Sequence, residues 1–579
     1  MKKLVYFVFG AVLLVGCEDF LEIEPLTQKT SANWPETEED VKQMMAGIYT
    51  TMNNAQRFAD KSYFFVCEVA SDDKLGGGGM NDVKAQSYET FQYSDPEMLD
   101  HAWEQGYEGI YRANYALEGL ERIGEDVISQ EQKNQYRGEA LFLRAWFHYQ
   151  LATLFGEVPL KTTTESGNIP RATVSELYGQ MASDLKTAIE IMPNVPYDQI
   201  EAGRVTRWAA EALMGRIFLF YTGFYQQDNI ALPDGGSVTK QNVISWLEDC
   251  YNYSGHALVD DFHELWPYTN SATIDEYQYI QDYMNETGKD LTYANENSRN
   301  PETVFALKFS FFSDWGVKRG YSNQYQLYFA LRGLQPLEKT YPFAGGWGQG
   351  NSVPKSLVDQ WQADEPDDPR FGASIMNIEE EIIPLGYQRG AWDFVLESNY
   401  WGKKYNGVTA RGADGELKHD YTVVMYGNNN NNQLSHNDDL VFIRFADVLL
   451  MLSELKEDAT YMNEVRDRAD LPPVSYSLEN LQKERRYEFA FEGLRWNDMR
   501  RWGSDYAKQA LETQEGVPVY NFGQPDTHTA LHPAGYSARY EATKGFFPIP
   551  QKQIDLSTGV LEQNDGYKNG EGLYTGWSN

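Results

Sequence analysis

Residues Lys483–Gly503, KERRYEFAFEGLRWNDMRRWG, crowd paired carboxylates, arginines and two tryptophans into a short span. On one helix, Arg485, Glu488, Glu492 and Arg495 are spaced 3, 4 and 3 apart and form a single stripe. Glu488 and Glu492 would then have Cβ atoms roughly 5–6 Å apart, near the carboxylate spacing of retaining glycosidases. A general acid, however, needs one carboxyl held protonated near neutral pH. Arginines bracketing the pair favour both ionised forms and push the other way. The stripe therefore reads as a charge ladder locking a helix against its neighbours. A glycoside hydrolase using Glu488 and Glu492 is the weaker alternative.

Other catalytic patterns fail on inspection. The chain has no HExxH and no GxSxG, and the glycine run Gly76–Gly79 is followed by Met80 where a phosphate loop needs Lys and Ser/Thr. His528 and His532 are four apart, but Thr529 between them and Pro533 after them argue against a metal helix. No cofactor is expected. A structural calcium is conceivable but not indicated, because DEPDDP at Asp364–Pro369 reads as a solvated turn rather than a calcium loop.

What the chain does supply is aromatic surface. Aromatics make up 14% of its 579 residues, with Tyr (39) well ahead of Phe (29), which suggests many rings with one wet edge. Between Trp266 and Trp347, tyrosines and tryptophans are mixed with Asn, Gly and Asp. Sugar rings present C–H faces that stack on such side chains, while Asp, Asn and Arg take the hydroxyls. A formal charge of −36 argues against nucleic acid, whose binding needs Lys/Arg stripes.

The elements that must position these groups are mostly helical. Glu38–Asn53 places Val41, Met44, Met45, Ile48 and Tyr49 on one face. Helical periodicity recurs in HAWEQGYEGIYRANYALEGLERI, QYRGEALFLRAWFHYQLATLFG, TVSELYGQMASDLKTAIEIMP and RVTRWAAEALMGRIFLFYTG, an antiparallel helix-pair pattern with no exact repeat length. Residues 252–435 are rich in Tyr, Trp, Asn, Gly and Pro, with few convincing helices, a strand at VFALKFSFF and a polar loop at GNNNNN. Helices return around LVFIRFADVLLMLSEL, and residues 511–579 are irregular again. The scaffold thus spans about 36–251 and 436–510, interrupted by a loop-rich half of one domain, 36–579.

The first residues, MKKLVYFVFGAVLLVGC, have two lysines, an apolar run too short to span a bilayer, and a small residue before Cys17. LVGC resembles a bacterial lipobox, so residues 1–16 read as a signal peptide, Cys17 as the lipidated first residue and 17–35 as a tether. Cys67 and Cys250 remain; they could pair once or stay as two buried thiols.

Eight segments then fall into a pattern: CEDFLEIEP, ANYALEGLERI, GEALFLRAWFHYQLATLFGEVPL, GRVTRWAAEALMGRIFLF, FIRFADVLLMLSE, NEVRDRADLP, ERRYEFAFEGLRWNDMRRWG and FFPIP. In this order they resemble the SusD/RagB family of Bacteroidetes outer-membrane lipoproteins. The resemblance implies a mostly α fold of tetratricopeptide-like helix pairs, with a loop-rich half packed on it. It implies a non-enzymatic protein at the cell exterior that captures oligosaccharide and passes it to a SusC-like TonB-dependent barrel; one lineage takes peptides instead. Glu18, Asp19, Glu22 and Glu24 fit the family's surface-export signal, and the helix-pair face is the expected docking surface. Ligand is expected at Ser71–Asp82 and in the aromatic insertion: Asp72, Asp73, Asn81 and Asp82 for hydroxyls, Trp315, Tyr325, Tyr341 and Trp347 for stacking, and Arg389 as a bidentate donor.

Overall fold

The computed structural model describes residues 34–296, 299–309 and 322–577. Cys17, the acidic residues after it and Trp315 lie outside these described residues.

The scaffold is a run of helices. They are α1 (Glu38–Gln56), α2 (Tyr63–Val69), α3 (Val83–Glu89), α4 (Asp100–Arg122), α5 (Gln130–Phe155), α6 (Val174–Ile191), α7 (Arg207–Phe224) and α8 (Lys240–Tyr253). Thr37, Ser129, Thr173 and Thr239 begin α1, α5, α6 and α8 with reciprocal capping boxes, satisfying otherwise orphaned N–H groups. In space α1 packs on α4, then α4, α5, α6, α7 and α8 follow in sequence order. From Gly138 onward α5 is buried on every side, which makes it the central rod of the superhelix. Arg144 of α5 grips Asp184 of α6 in a bidentate pair at 2.7 and 2.6 Å.

After the loop-rich half the chain returns as α9 (Phe445–Lys456), α10 (Ala459–Arg468), α11 (Leu478–Glu488) and α12 (Arg495–Arg501). Helix α9 packs on α7 and α8, and α12 packs on α2 and α7, so the two helical stretches share one core. The architecture is mostly α and tetratricopeptide-like.

The strands are short: β1 (Gly78–Gly79), β2 (Thr303–Leu307), β3 (Leu331–Arg332), β4 (Gly345–Gly346), β5 (Phe394–Val395) and β6 (Leu440–Arg444) are those that matter here. The antiparallel pair β2–β6 carries Phe305 and Phe442 onto Trp146 of α5 and joins the two halves. The loop-rich region holds more helix than its composition suggests, including Gln278–Thr287 and Lys355–Asp364. DEPDDP is an exposed turn at Pro366 and Asp367, but its ends are structural: Asp368 caps the next helix and grips Arg370, and Asp364 accepts from Tyr487. Cys67 and Cys250 are free and buried.

The stretch Lys483–Gly503 departs from the single helix that its spacing suggests. Helix α11 stops at Glu488, and Phe491 (φ 67°) and Gly493 (φ 73°) turn the chain before α12. Glu488 and Glu492 nevertheless converge on Arg444 at 2.8 and 2.7 Å. Glu488 also meets Arg370 and Arg468, and Glu492 meets Lys404. Burial alone would raise the Glu488 carboxyl; Arg468, Arg444 and Arg370 outweigh it and hold it well below the usual range. Both glutamates are buried, so they belong to a core network spanning five segments.

Candidate functional site

The loop joining α2 to α3 begins inside the protein and ends at its surface. Asp72 accepts from Arg495 Nε (2.7 Å) and Nη2 (3.0 Å), and Arg486 Nη2 lies 2.8 Å from both Asp72 and Asp73. Burial alone would raise the Asp72 carboxyl, but Arg486 and Arg495 bring it down to about 2. Lys74 follows, fully buried, with Nζ 2.6 Å from Asn351 Oδ1 and 4.0 Å above the Phe329 ring. Asp72 and Asp73 therefore anchor the loop to the arginine-rich stretch. They do not offer oxygens to a ligand.

The glycine run makes the crossing to the surface. The Gly76 N–H donates to Glu89 Oε2 (2.8 Å), and Glu89 in turn is held by His528 and Tyr536. A Cβ on Gly76 would sit 2.3 Å from the Ala85 carbonyl oxygen, and one on Gly79 would sit 2.0 Å from Arg332 Nη2. Only glycine lets the backbone approach this closely. Strand β1 pairs with β5, Gly79 opposite Phe394, which brings the loop against the segment around Trp392.

At the tip, Met80 and Asn81 are exposed and Asp82 is half-buried. Asp82 Oδ1 accepts from Gln349 Nε2 (2.8 Å), and Oδ2 accepts from the Gly79 N–H and from Arg332 Nη1 (2.8 Å). Burial pushes the Asp82 carboxyl up; the Gly79 N–H and Arg332 pull against that.

Arg332, on β3, organises everything around it. Nη1 also donates to the Trp347 carbonyl (2.6 Å), Nε and Nη2 donate to the Trp392 carbonyl (3.3 and 3.1 Å), and Nη2 donates to Asp393 Oδ1 (2.9 Å). A guanidinium has five N–H donors, and with the bond to Asp82 all five are engaged. Trp392 (φ 53°) and Asp393 (φ 66°) are consecutive left-handed residues with side chains, a conformation costing roughly 1–3 kcal/mol each. Gly390 (φ 78°) leads into it and Arg332 clasps it. The result is a Trp392 side chain held out at 50% exposure. Trp347 lies half-buried, edge-on to Tyr328 at 4.7 Å, and Phe522 (40% exposed) adjoins through its N–H bond to the Phe394 carbonyl. The arrangement is a polar clasp with aromatic faces around it: carboxylate and amide groups for hydroxyls, indoles for C–H faces.

Of the expected residues, Asn81, Asp82 and Trp347 meet here. Tyr325 does not: it is fully buried, its hydroxyl bonded to Gln56 and Ser62. Arg389 is held by Glu397 and Asn399 and stacks over Tyr520 at 4.1 Å, so its fork is taken. Tyr341 stands elsewhere, bonded to the Thr273 carbonyl beside Glu276 and Arg411. Sequence reasoning missed Arg332, Gln349, Trp392 and Asp393. The run RGAWD, a tryptophan just after a loop glycine, was the available signal for two of them; nothing local distinguished Arg332.

Comparison with known proteins places the chain. Residues 19–219 match the family described as "Starch-binding associating with outer membrane", and residues 351–567 match the SusD family. The chain belongs to the SusD/RagB family. SusD-like protein P25 of Formosa agariphila is 22% identical, over 98% of this chain and 100% of that protein. A SusD-like protein of Bacteroides ovatus is also 22% identical, over 96% of each. Among solved structures, a laminarin binding SusD-like protein superposes with a TM-score of 0.67 at 23% identity, covering 92% of this chain and 100% of that one. Surface glycan-binding protein A from Bacteroides thetaiotaomicron, in complex with laminarihexaose, gives 0.66 at 18% identity over 91% and 99%. These likenesses establish the shared fold.

Proposed function

We propose that this protein is a surface glycan-binding lipoprotein that captures oligosaccharide and delivers it, chemically unchanged, to a SusC-like TonB-dependent barrel. The observation that carries the reading is the Arg332 clasp, which holds Asp82, Trp347, Trp392 and Asp393 together at the surface. Trp392 supplies a rigid stacking face, Trp347 flanks it, and Asn81, Gln349 and the free lone pairs of Asp393 meet hydroxyls. The names of the solved relatives, which bind laminarin or laminarihexaose, support a glycan as ligand. The lipobox at Cys17 supports a lipid anchor in the outer membrane, and the helix-pair face is the surface we assign to the barrel.

The test is calorimetric titration of the folded protein with laminarihexaose and a panel of plant, fungal and bacterial oligosaccharides, beside Trp392→Ala. Binding to at least one glycan, weakened by Trp392→Ala, is expected. Binding to none, with tight binding of oligopeptides, would replace the glycan by a peptide. Delivery is tested separately, by whether a barrel co-purifies from solubilised envelopes.

A further inference from the structure

The charge arrangement of the Arg332 clasp narrows the class of glycan. We propose that the site takes uncharged oligosaccharides and rejects uronate and sulfated chains, with Asp82 and Asp393 as the specificity-determining residues. This inference rests on the glycan-binding reading above.

Recognition of a carboxylate or sulfate by arginine uses free N–H donors, commonly two in parallel. Arg332 has none free: its five donors reach Asp82, Asp393 and the carbonyls of Trp347 and Trp392. The flanking carboxylates outnumber it two to one, so these three groups carry a formal charge of −1. Two basic side chains of neighbouring segments, among the described residues, are themselves paired. Arg389 is held by Glu397, and Lys84 pairs with Asp60 at 3.0 Å. An ionised carboxylate accepts hydrogen bonds and donates none, so it suits sugar hydroxyls and repels sugar acids. Asp393 is one-third exposed, positioned to do both. The whole-chain charge of −36 adds to the repulsion at long range. At low salt, a like charge brought within about 5 Å of such a carboxylate weakens binding by about tenfold or more. A neutral chain stacking on Trp392 meets no such term, and its affinity is insensitive to salt.

The experiment pairs the tightest-binding neutral oligosaccharide of the panel, laminarihexaose first, with the same oligosaccharide oxidised at its primary alcohols to carboxylates. The methyl ester of the oxidised form is the steric control. At 20 mM salt, wild type should bind the oxidised form at least about tenfold more weakly than the ester, and Asp393→Asn should narrow that ratio severalfold. Equal or tighter binding of the charged form by wild type overturns the inference and leaves the glycan reading standing. Binding of no glycan at all overturns both. Lys318 and Arg319 fall in residues 310–321, outside the described residues. Tighter binding of the charged form that disappears in Lys318→Ala/Arg319→Ala would place recognition on that segment and overturn the assignment to Asp82 and Asp393.

Discussion

Two arginine-centred clusters in this molecule are built from the same residue types to opposite ends. Arg444 sits in the core with Glu302, Glu488 and Glu492, and every member is buried. Arg332 sits near the surface with Asp82 and Asp393, and what surrounds it is half-exposed aromatic and amide. In the first, the three carboxylates are shared among Arg444, Arg370, Arg468 and Lys404, and the product is a fixed junction between segments. In the second, the arginine is equally saturated, but it clasps strained backbone and so holds a tryptophan outward. An Arg–carboxylate cluster is thus a fastener in both places; function depends on what the fastener holds up to solvent.

The contrast can be broken most forcefully in the core. Glu488→Gln leaves Arg444, Arg468 and Arg370 undercompensated in a buried site and should lower stability by about 3–5 kcal/mol. The denaturation midpoint should fall while glycan affinity per folded molecule stays the same; a selective loss of affinity would erase the distinction drawn here.

Asp72 gives the next largest effect, through pH. Its folded value is about 2, burial being outweighed by Arg486 and Arg495, against an ordinary aspartate near 3.9. A depressed carboxyl contributes stability that is complete above its unfolded value and is lost as pH falls through its folded one. About 2 kcal/mol should therefore disappear between roughly pH 5 and pH 2, and Asp72→Asn should flatten that part of the stability profile. An unaltered acid slope in the variant would mean the anchor is not where the acid sensitivity lies.

On the surface side, Trp392→Ala should weaken glycan binding by about tenfold, the scale of one lost stacking face, with stability changed by less than about 0.5 kcal/mol. Equal losses of both would make Trp392 another piece of core. The smallest effect sharpens the boundary of the site: Tyr341→Phe removes a hydroxyl bonded to the Thr273 carbonyl and should leave glycan affinity within error in the same titration.

The helical half was legible because its signals are local. Apolar spacing at three and four residues is written within each helix, and α1, α4, α5, α6 and α7 follow it. The irregular half was less legible. Its pairings join residues far apart in sequence, such as Asp82 with Arg332, and no periodicity announces them. The acidic start of the Ser71–Asp82 loop was placed at the ligand because an aspartate beside a glycine run looks the same whether its partner is a sugar hydroxyl or a buried arginine. Tyr325 and Arg389 were misplaced for the related reason that composition does not say which side of a ring or guanidinium faces the core.

The amino-acid order by itself determined the helix pairs, the family and the expectation of a lipidated amino end, because short-range hydrophobic spacing and motif order suffice for these. Tertiary structure alone decided that Arg486 and Arg495 take Asp72 and Asp73, that Arg332 takes Asp82 and Asp393, and that Trp392 faces outward. Each carboxylate could have gone to any of many arginines. Which one it met depended on desolvation and close approach at contacts between distant segments, where a glycine without a Cβ lets two backbones come near enough for the charges to touch.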